Sequence, residues 1–125
     1  KKTLPTLQNL NTKEGDMYQS VMALISSFAL LSTPAFAAKP SFNCSKATHQ
    51  IEKLICNDDE LAALDVSLNN LYQAVLKNTP AGAQKRLKSE QIGWSKGRND
   101  CWKADDKRAC VKGEYETRID ELKDR

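Results

Sequence analysis

The stretch DDELAALDVSLNNLYQAVLK, residues 58–77, decides the fold class of this 125-residue chain. Its apolar residues recur at alternating intervals of three and four, which places them on one face of an α-helix. The positions on this face are Leu61, Leu64, Leu68, Leu71 and Val75. Asn57 is predicted to cap this helix, with Glu60 in the capping-box position three residues later. Asn-Thr-Pro-Ala-Gly at 78–82 ends the helix and turns the chain.

Three further helices are predicted around this one, after an extended lead-in at 38–46. A short helix at 48–56, with Thr48 near its N-terminal cap, carries the apolar face Ile51, Leu54 and Ile55. A helix from about residue 83 to 102 carries the stripe Leu87, Gln91, Trp94, Arg98 and Cys101, with Trp94 expected in the core. The last helix, from about 108 to 123, carries Val111, Tyr115, Ile119 and Leu122. Because no alternating strand pattern occurs, the predicted fold is all-α, a short helix plus a three-helix bundle.

The composition changes near residue 37. Residues 21–31, VMALISSFALL, form an uncharged apolar run, and Ala35-Phe36-Ala37 follows as a small-x-small site. This combination is typical of a secretory signal peptide, so we expect cleavage after Ala37. Residues 1–37 are then an upstream segment and signal peptide, with Met17 as a candidate start, and residues 38–125 form a single helical domain. A buried helix is the alternative interpretation of the run, but the run has no polar face.

Charge and motif content exclude several classes of protein. Lys and Arg total 19 against 16 acidic residues, and this net charge of +3 is too mild for a dedicated nucleic-acid binder. No apolar run reaches the roughly 18 residues of a membrane span. No nucleophile–base pair, phosphate-binding glycine loop or metal motif is visible. The only histidine, His49, is predicted to be a surface residue at the start of the short helix. We therefore expect neither an enzyme nor a bound cofactor.

Four cysteines in a small exported domain indicate two disulfides. They are Cys44, Cys56, Cys101 and Cys110. The favoured pairing is local, Cys44 with Cys56 and Cys101 with Cys110, because each bridge then closes a short loop. The two other pairings require helix ends to meet across the bundle and remain open. A zinc site is the competing interpretation, but these spacings contain no C-x-x-C pair.

Polar residues on the apolar stripes indicate either an internal network or a pocket. Asp65, Gln91, Arg98 and Arg118 lie on or beside stripe positions. Buried polar groups need hydrogen-bond partners. The favoured interpretation is a structural network between helices, in which Asp65 pairs with Arg98 or Arg118. A ligand pocket is the alternative.

Two segments of this sequence carry a family resemblance. The first is Glu-Lys-Leu-Ile-Cys at 52–56, followed by Asp-Glu-Leu-Ala at 59–62, and the second is the stripe Q-x-x-W-x-x-x-R-x-x-C at 91–101. With Cys110, Tyr115, Arg118 and Leu122, they resemble the small exported bacterial domains named after the lysozyme inhibitor LprI, from Cys44 to Leu122. The resemblance implies a disulfide-bearing helical domain in the bacterial envelope and inhibition of lysozyme. The namesake is a lipoprotein, whereas no cysteine follows the apolar run here at lipobox spacing, so lipid anchoring is not expected.

The leading hypothesis is a periplasmic or secreted binding module whose partner is a protein, a lysozyme or a related cell-wall hydrolase. Asp58, Asp59 and Glu60 are candidate contacts to a basic surface, although helix capping is their alternative role. Lys103 and Lys107, in the polar turn at 103–107, are candidates for entry into an acidic cleft. The alternative function is a structural or stress protein that binds peptidoglycan, glycolipid or another envelope protein through the basic segment 85–112.

Overall fold

A computed structural model describes residues 37–125 as four α-helices and two short 3-10 helices. The α-helices are α1 (Gln50–Cys56), α2 (Asp59–Asn78), α3 (Ala81–Asn99) and α4 (Lys107–Lys123), and the 3-10 helices are Cys44–Lys46 and Asp100–Lys103. This part of the chain contains no strand, so the all-α prediction is confirmed. The predicted signal peptide lies outside the described residues, and the domain boundary after Ala37 stays a prediction.

The three long helices form the predicted bundle, with α4 at its centre. Helix α4 packs along α2 and also contacts α3, while the short α1 contacts all three long helices. Their stripes supply the core, since burying apolar side chains is the main favourable contribution to folding. The buried apolar residues are Ile51, Ile55, Leu61, Ala62, Leu68, Leu87, Cys101, Val111, Tyr115 and Leu122.

The junction between α1 and α2 differs from the sequence prediction by one residue at each cap. His49, not Thr48, caps α1, because its Nδ1 accepts the backbone N–H of Ile51 at 3.1 Å. Asn57 closes α1 rather than capping α2, and its Nδ2 donates to the backbone oxygen of Lys53 at 2.7 Å. Asp58 then caps α2 by accepting from the backbone N–H of Leu61 at 3.0 Å. Two adjacent residues therefore serve the two helix ends at this junction, Asn57 at the end of α1 and Asp58 at the start of α2.

Two other segments also depart from the prediction. The lead-in is not extended throughout, since Asn43 caps a 3-10 turn over Cys44–Lys46. Helix α3 ends at Asn99 instead of Trp102, because the chain tightens into the 3-10 helix Asp100–Lys103. Asp106 then caps α4, accepting from the backbone N–H of Ala109 at 2.9 Å, so α4 begins at Lys107. Such tightened ends satisfy carbonyl groups that a helix terminus leaves unpaired.

Both local disulfides are present. Cys44 bonds to Cys56 and ties the lead-in to the end of α1. Cys101 bonds to Cys110 and closes the connection between α3 and α4, nine residues apart in sequence. The local pairing is therefore confirmed, and the crossed pairings and the zinc interpretation are wrong.

Trp94 was expected in the core. It packs against the core but is only half-buried. Its ring packs against the core beside Tyr115, with the ring centroids 5.4 Å apart. Its Nε1 donates to the backbone oxygen of Glu114 at 3.2 Å, which keeps the polar edge of the indole at the α3–α4 boundary. A buried tryptophan N–H usually has such a partner, so the half-buried ring packs on the core without leaving its polar atom unpaired.

Candidate functional site

A buried chain of hydrogen bonds joins α2, α3 and α4. The hydroxyl of Tyr115 donates to Asp65 Oδ1 at 2.8 Å and accepts from Arg98 Nη1 at 2.9 Å. The same Arg98 nitrogen lies 3.8 Å from Asp65 Oδ1. Ser41 in the lead-in donates its backbone N–H and its hydroxyl to Asp65 Oδ2, at 2.7 and 2.6 Å. Both oxygens of the Asp65 carboxylate are therefore occupied by donors of this chain.

The guanidinium of Arg98 is held on its other sides as well. Its Nε and Nη2 donate to Asn99 Oδ1 at 3.2 and 2.9 Å. It also lies over the ring of Trp94, 5.5 Å from the centroid. Burial raises the pKa of the Tyr115 hydroxyl, which keeps this bridging donor protonated. An ion pair so enclosed by hydrogen bonds favours the structural interpretation over a ligand pocket.

Gln91 and Arg118 form a separate contact on the α3–α4 interface. Arg118 Nε donates to Gln91 Oε1 at 3.1 Å, and Arg118 Nη1 pairs with Glu121 Oε2 at 2.9 Å. Within residues 37–125, no hydrogen bond or ion pair joins Arg118 to Asp65. Of the two arginines predicted as possible partners for Asp65, Arg98 is the one that lies beside it.

The acidic start of α2 is paired with cations of α4. Asp58 Oδ2 accepts from Arg108 Nε at 2.7 Å, and Glu60 contacts both Arg108 and Lys112, the latter at 2.6 Å. The hydrogen bond from Arg108 lowers the pKa of Asp58, and the hydrogen bond from Lys112 lowers the pKa of Glu60. The same contacts raise the pKa of Arg108 and of Lys112. These two carboxylates therefore already have cationic partners within the domain.

Asp59 differs from its two neighbours. Its side chain is exposed, and it makes no ion pair or side-chain hydrogen bond with another residue in the described range. One carboxylate at a helix N-terminus is stabilised by the helix dipole without any further role. The three acids predicted as one partner surface thus differ. Asp58 and Glu60 pair with cations of α4, and Asp59 is exposed without such a partner in the described range.

The connection between α3 and α4 is a short exposed tip above a disulfide. We define the hairpin tip as residues 100–107. Cys101 is buried at its base and bonded to Cys110, whereas Trp102 keeps 44 % of its surface exposed. Lys103 and Lys107, the predicted cations, are both exposed on this tip. The disulfide and the two helices together hold the tip in one place.

The two lysines of the hairpin tip differ in their surroundings. Lys103 Nζ lies 3.2 Å from Asp100 Oδ1 and 5.7 Å from the centre of the Trp102 ring. Within residues 37–125, no carboxylate lies within ion-pair distance of Lys107. A cation next to an aromatic face is attracted by the ring quadrupole. The tip thus carries charges of both signs around one exposed ring, since Asp100, Asp105 and Asp106 lie on it beside the two lysines.

Sequence reasoning missed five of the residues that organise these regions. Four of them make ion pairs or hydrogen bonds over long sequence separations, and no local signal in the chain predicts those contacts. They are Ser41, Arg108, Lys112 and Tyr115, the last of which was predicted only as an apolar-stripe residue. Trp102 had such a signal, because it falls one position beyond the stripe that ends at Cys101. A large aromatic residue off the apolar stripe is expected to face solvent.

Two classes of site do not appear within the described range. Residues 37–125 contain no group of three or more His, Cys, Asp or Glu side chains arranged to hold a metal ion. None of the helices in the same range has the length and apolar character needed to cross a bilayer.

Comparison with known proteins gives the family. A family model described as lysozyme inhibitor LprI matches residues 43–122. Lipoprotein LprI of Mycobacterium bovis and of two strains of Mycobacterium tuberculosis is 32 % identical over 106 residues, which covers 82 % of this chain and 52 % of each relative. The chain therefore spans about half the length of these curated relatives. No solved structure matches it.

The matched segment contains nearly all of the architecture described above. It includes all four cysteines, helices α1 to α3 and nearly all of α4. The family is named for inhibition of an enzyme and is not an enzyme family, which confirms the expectation of a non-enzyme. On this coverage, the chain belongs to the LprI lysozyme inhibitor family.

Proposed function

We propose that this domain binds a lysozyme or a related cell-wall hydrolase and inhibits it. The observation that carries the proposal is the family match over residues 43–122, which takes in both disulfides and the helical bundle together. The described surface carries exposed charged side chains, among them Lys103 and Lys107 on the hairpin tip. We therefore propose a protein as the partner of this domain.

We also propose that the domain acts outside the cytoplasm, in the periplasm or as a secreted protein. Two disulfides in a chain of this size fit an oxidising compartment, because reducing systems keep cytosolic thiols free. The relatives are named lipoproteins, a class of envelope protein. The apolar run at 21–31 supports export, with cleavage after Ala37 leaving residues 38–125 as the mature domain.

No observation favours the alternative of a structural protein that binds anionic glycolipid through residues 85–112. Arg98 in that segment is buried against Asp65, and Arg108 is bound to Asp58 and Glu60. Arg86 pairs with Glu90 one turn later on α3. Three of the arginines that gave the segment its basic character are thus engaged within the domain.

The test is a turbidity assay in which a c-type lysozyme clears a suspension of bacterial cell walls. The oxidised protein is expected to slow clearing in a dose-dependent way and to release no sugar from the walls by itself. Protein with reduced and alkylated cysteines serves as the control and is expected to lose the effect. Unchanged clearing at concentrations well above micromolar would contradict the proposal.

A further inference from the structure

Two large apolar side chains of the described residues are well exposed, and their surroundings differ. They are Ile92 on α3, with 58 % of its surface accessible, and Trp102 on the hairpin tip, with 44 %. Charges of both signs surround Trp102, and Lys103 beside it already pairs with Asp100. Ile92 lies instead on a part of α3 whose exposed charges have a single sign.

Three exposed lysines and Ile92 form one line along α3. We call this line the basic α3 face and define it as Lys85, Lys88, Ile92 and Lys96, all of them exposed. The intervals of three, four and four residues place these side chains next to one another on the helix surface. The line is roughly 16 Å long, because an α-helix rises 1.5 Å per residue.

Within residues 37–125, no carboxylate lies within ion-pair distance of the three lysines of this face. The acids that come closest in sequence are engaged by other cations. Glu90 pairs with Arg86 at 3.0 Å and with Arg125 at 2.6 Å. Asp100, which lies one turn beyond Lys96, pairs with Lys103 at 3.2 Å. The positive charge of the basic α3 face is therefore not neutralised within the described domain.

An open cavity of about 450 Å³ borders this face, between α2 and α3. Its apolar lining comes from Tyr72 and Leu76 of α2 and from Ile92 of α3, and Lys88 stands at its edge. The other lining residues are the uncharged polar side chains Gln73, Gln91 and Ser95. The cavity thus continues the basic α3 face as an apolar hollow beside a row of cations.

The second cavity of the described residues lacks this combination. It lies between α2 and α4, and its two cations are Lys123 and Arg125. Lys123 pairs with Asp120, and Arg125 pairs with Glu90. By contrast, residues 66–97, which include the lining of the α2–α3 cavity, contain five basic residues and one acidic residue, the engaged Glu90.

These observations define the chemistry of a complementary ligand. A lysine ammonium group only donates hydrogen bonds, so the ligand has to supply acceptors, and carboxylates match the charge as well. The apolar cavity calls for an apolar group next to those carboxylates. A protein surface combines both, since an apolar core within a polar rim is the usual anatomy of a protein interface. A lipid surface fits less well, because a helix that lies on a membrane needs a broad apolar face and this one exposes a single large apolar residue.

We infer that the basic α3 face and the adjoining α2–α3 cavity form the surface that binds the hydrolase, through a patch of carboxylates around an apolar side chain on that enzyme. This inference rests on the proposed function and names the surface that carries it out. The acidic start of α2 and the hairpin tip then lie outside the docking surface.

The first test measures the affinity of the oxidised protein for a c-type lysozyme, together with inhibition in the clearing assay. Ile92→Ala is expected to weaken the affinity about tenfold, which corresponds to about 1.4 kcal/mol of binding free energy. Trp102→Ala removes the other exposed apolar side chain and is expected to stay within about twofold of wild type, as residues outside a hot spot do. Thermal unfolding shows whether each variant is folded.

The second test reverses one charge. Lys88→Glu is expected to weaken the affinity about tenfold at low ionic strength and much less at high salt, because salt screens exposed charges. Lys46→Glu is the matched control, since Lys46 is an exposed lysine on the first 3-10 helix, which packs on α1 and not on α2 or α3. Its affinity is expected to stay within about twofold of wild type.

The outcomes separate the inference from the proposed function. An affinity for lysozyme that survives both Ile92→Ala and Lys88→Glu overturns the inference and leaves the proposed function standing. Binding that requires both residues but does not slow clearing supports the inference and overturns the proposed inhibition. Wild-type protein that does not bind lysozyme overturns both.

Two further probes test the class of ligand. They are soluble peptidoglycan fragments and vesicles that contain an anionic phospholipid. Binding of either probe that requires Lys88, without binding of lysozyme, assigns the basic α3 face to that ligand and overturns the protein partner.

Discussion

The acidic start of α2, residues 58–60, and the hairpin tip are both charged and partly exposed to solvent, but their charged side chains are paired differently. At the start of α2, Asp58 and Glu60 receive hydrogen bonds from Arg108 and Lys112. At the tip, Lys107 faces solvent one residue before Arg108. Charge in a sequence therefore does not by itself identify a docking surface, because the fold decides which charges are already paired.

The same contrast extends along the α2–α4 contact, which we call the α2–α4 seam. It begins with Asp58 and Arg108 at the surface and continues to Asp65 and Tyr115 in the interior. The tip lies outside this contact and depends instead on the Cys101–Cys110 bond and on helix caps. Substitutions in the seam should therefore change stability, whereas substitutions of exposed side chains at the tip should change it little.

The largest effect is expected for Asp65→Ala in the seam. The change removes the carboxylate beside Arg98, whose side chain is only 8 % exposed, and leaves a buried cation without its counter-charge. Breaking such a pair costs about 3–5 kcal/mol of the free energy of unfolding, which urea titration measures. Asp59→Ala, on the exposed face of the same helix, should change it by no more than about 0.5 kcal/mol. A loss below about 1 kcal/mol for Asp65→Ala would show that Arg98 finds another partner.

Removal of the Cys101–Cys110 bond by paired Cys→Ser substitutions is expected to lower stability by about 3 kcal/mol, from loop entropy alone. The Cys44–Cys56 bond closes a loop of similar length, so its removal should have a comparable cost in unfolding experiments. A loss below about 1 kcal/mol for either pair would show that the flanking helices hold that loop without the bond.

Asp58→Ala tests the cap assignment at the start of α2. Loss of the side-chain acceptor for the Leu61 N–H is expected to cost about 0.5–2 kcal/mol in chemical denaturation, and Asp58→Asn, which keeps a capping side chain but not the charge that pairs with Arg108, should cost less. Asn57→Ala should cost less, because Asn57 terminates α1 and does not cap α2. The reverse order would restore the cap assignment made from the sequence.

Acid should weaken the surface part of the seam. The pKa values of Asp58 and Glu60 are lowered in the fold, so their contribution is fully present above the ordinary values of 3.8 and 4.5 and is lost as the pH falls through the lowered ones. The melting temperature is expected to decline over this acidic range. Arg108→Ala should already be less stable at neutral pH and should show a shallower decline, since the main cationic partner of Asp58 is gone and Glu60 keeps only Lys112.

The smallest effect on stability is expected for Lys107→Glu. It is compared with Arg108→Glu, the same charge reversal at the next residue. Arg108→Glu places a third carboxylate against Asp58 and Glu60 and should lower the melting temperature at neutral pH. Lys107→Glu should leave the melting temperature unchanged, because surface substitutions without partners have little effect on stability. Similar shifts for both variants would mean that Lys107 also belongs to the seam.

Local periodicity was enough to predict the helices of this protein. The intervals of three and four in residues 58–77 place Leu61 and Leu68 on the buried face of α2, as the structure has them. The spacing of the cysteines predicted both disulfides, because each bond closes a short loop near its own helix end. Helix type and local crosslinks depend on residues a few positions apart, so the sequence alone contains the information.

Cap positions were less predictable, because several adjacent residues compete for the same hydrogen bonds. Asn57, Asp58 and Asp59 all have side chains that can cap a helix, and only the backbone conformation at each position selects one. The extended conformation falls at Asp58, where the chain leaves α1 and enters α2. The backbone conformation at this junction therefore selects the cap among residue types that are all suited to it.

Sequence alone determined that the chain forms an all-α domain with two local disulfides. Tertiary structure decided which charged side chains face one another, since Asp58 and Arg108 are 50 residues apart and meet only when α4 packs along α2. It also decided that the Tyr115 hydroxyl bridges Asp65 and Arg98, which are 50 and 17 residues away in sequence. Periodicity reports the face of a helix, but the partner of that face depends on packing between distant segments, which no local pattern encodes.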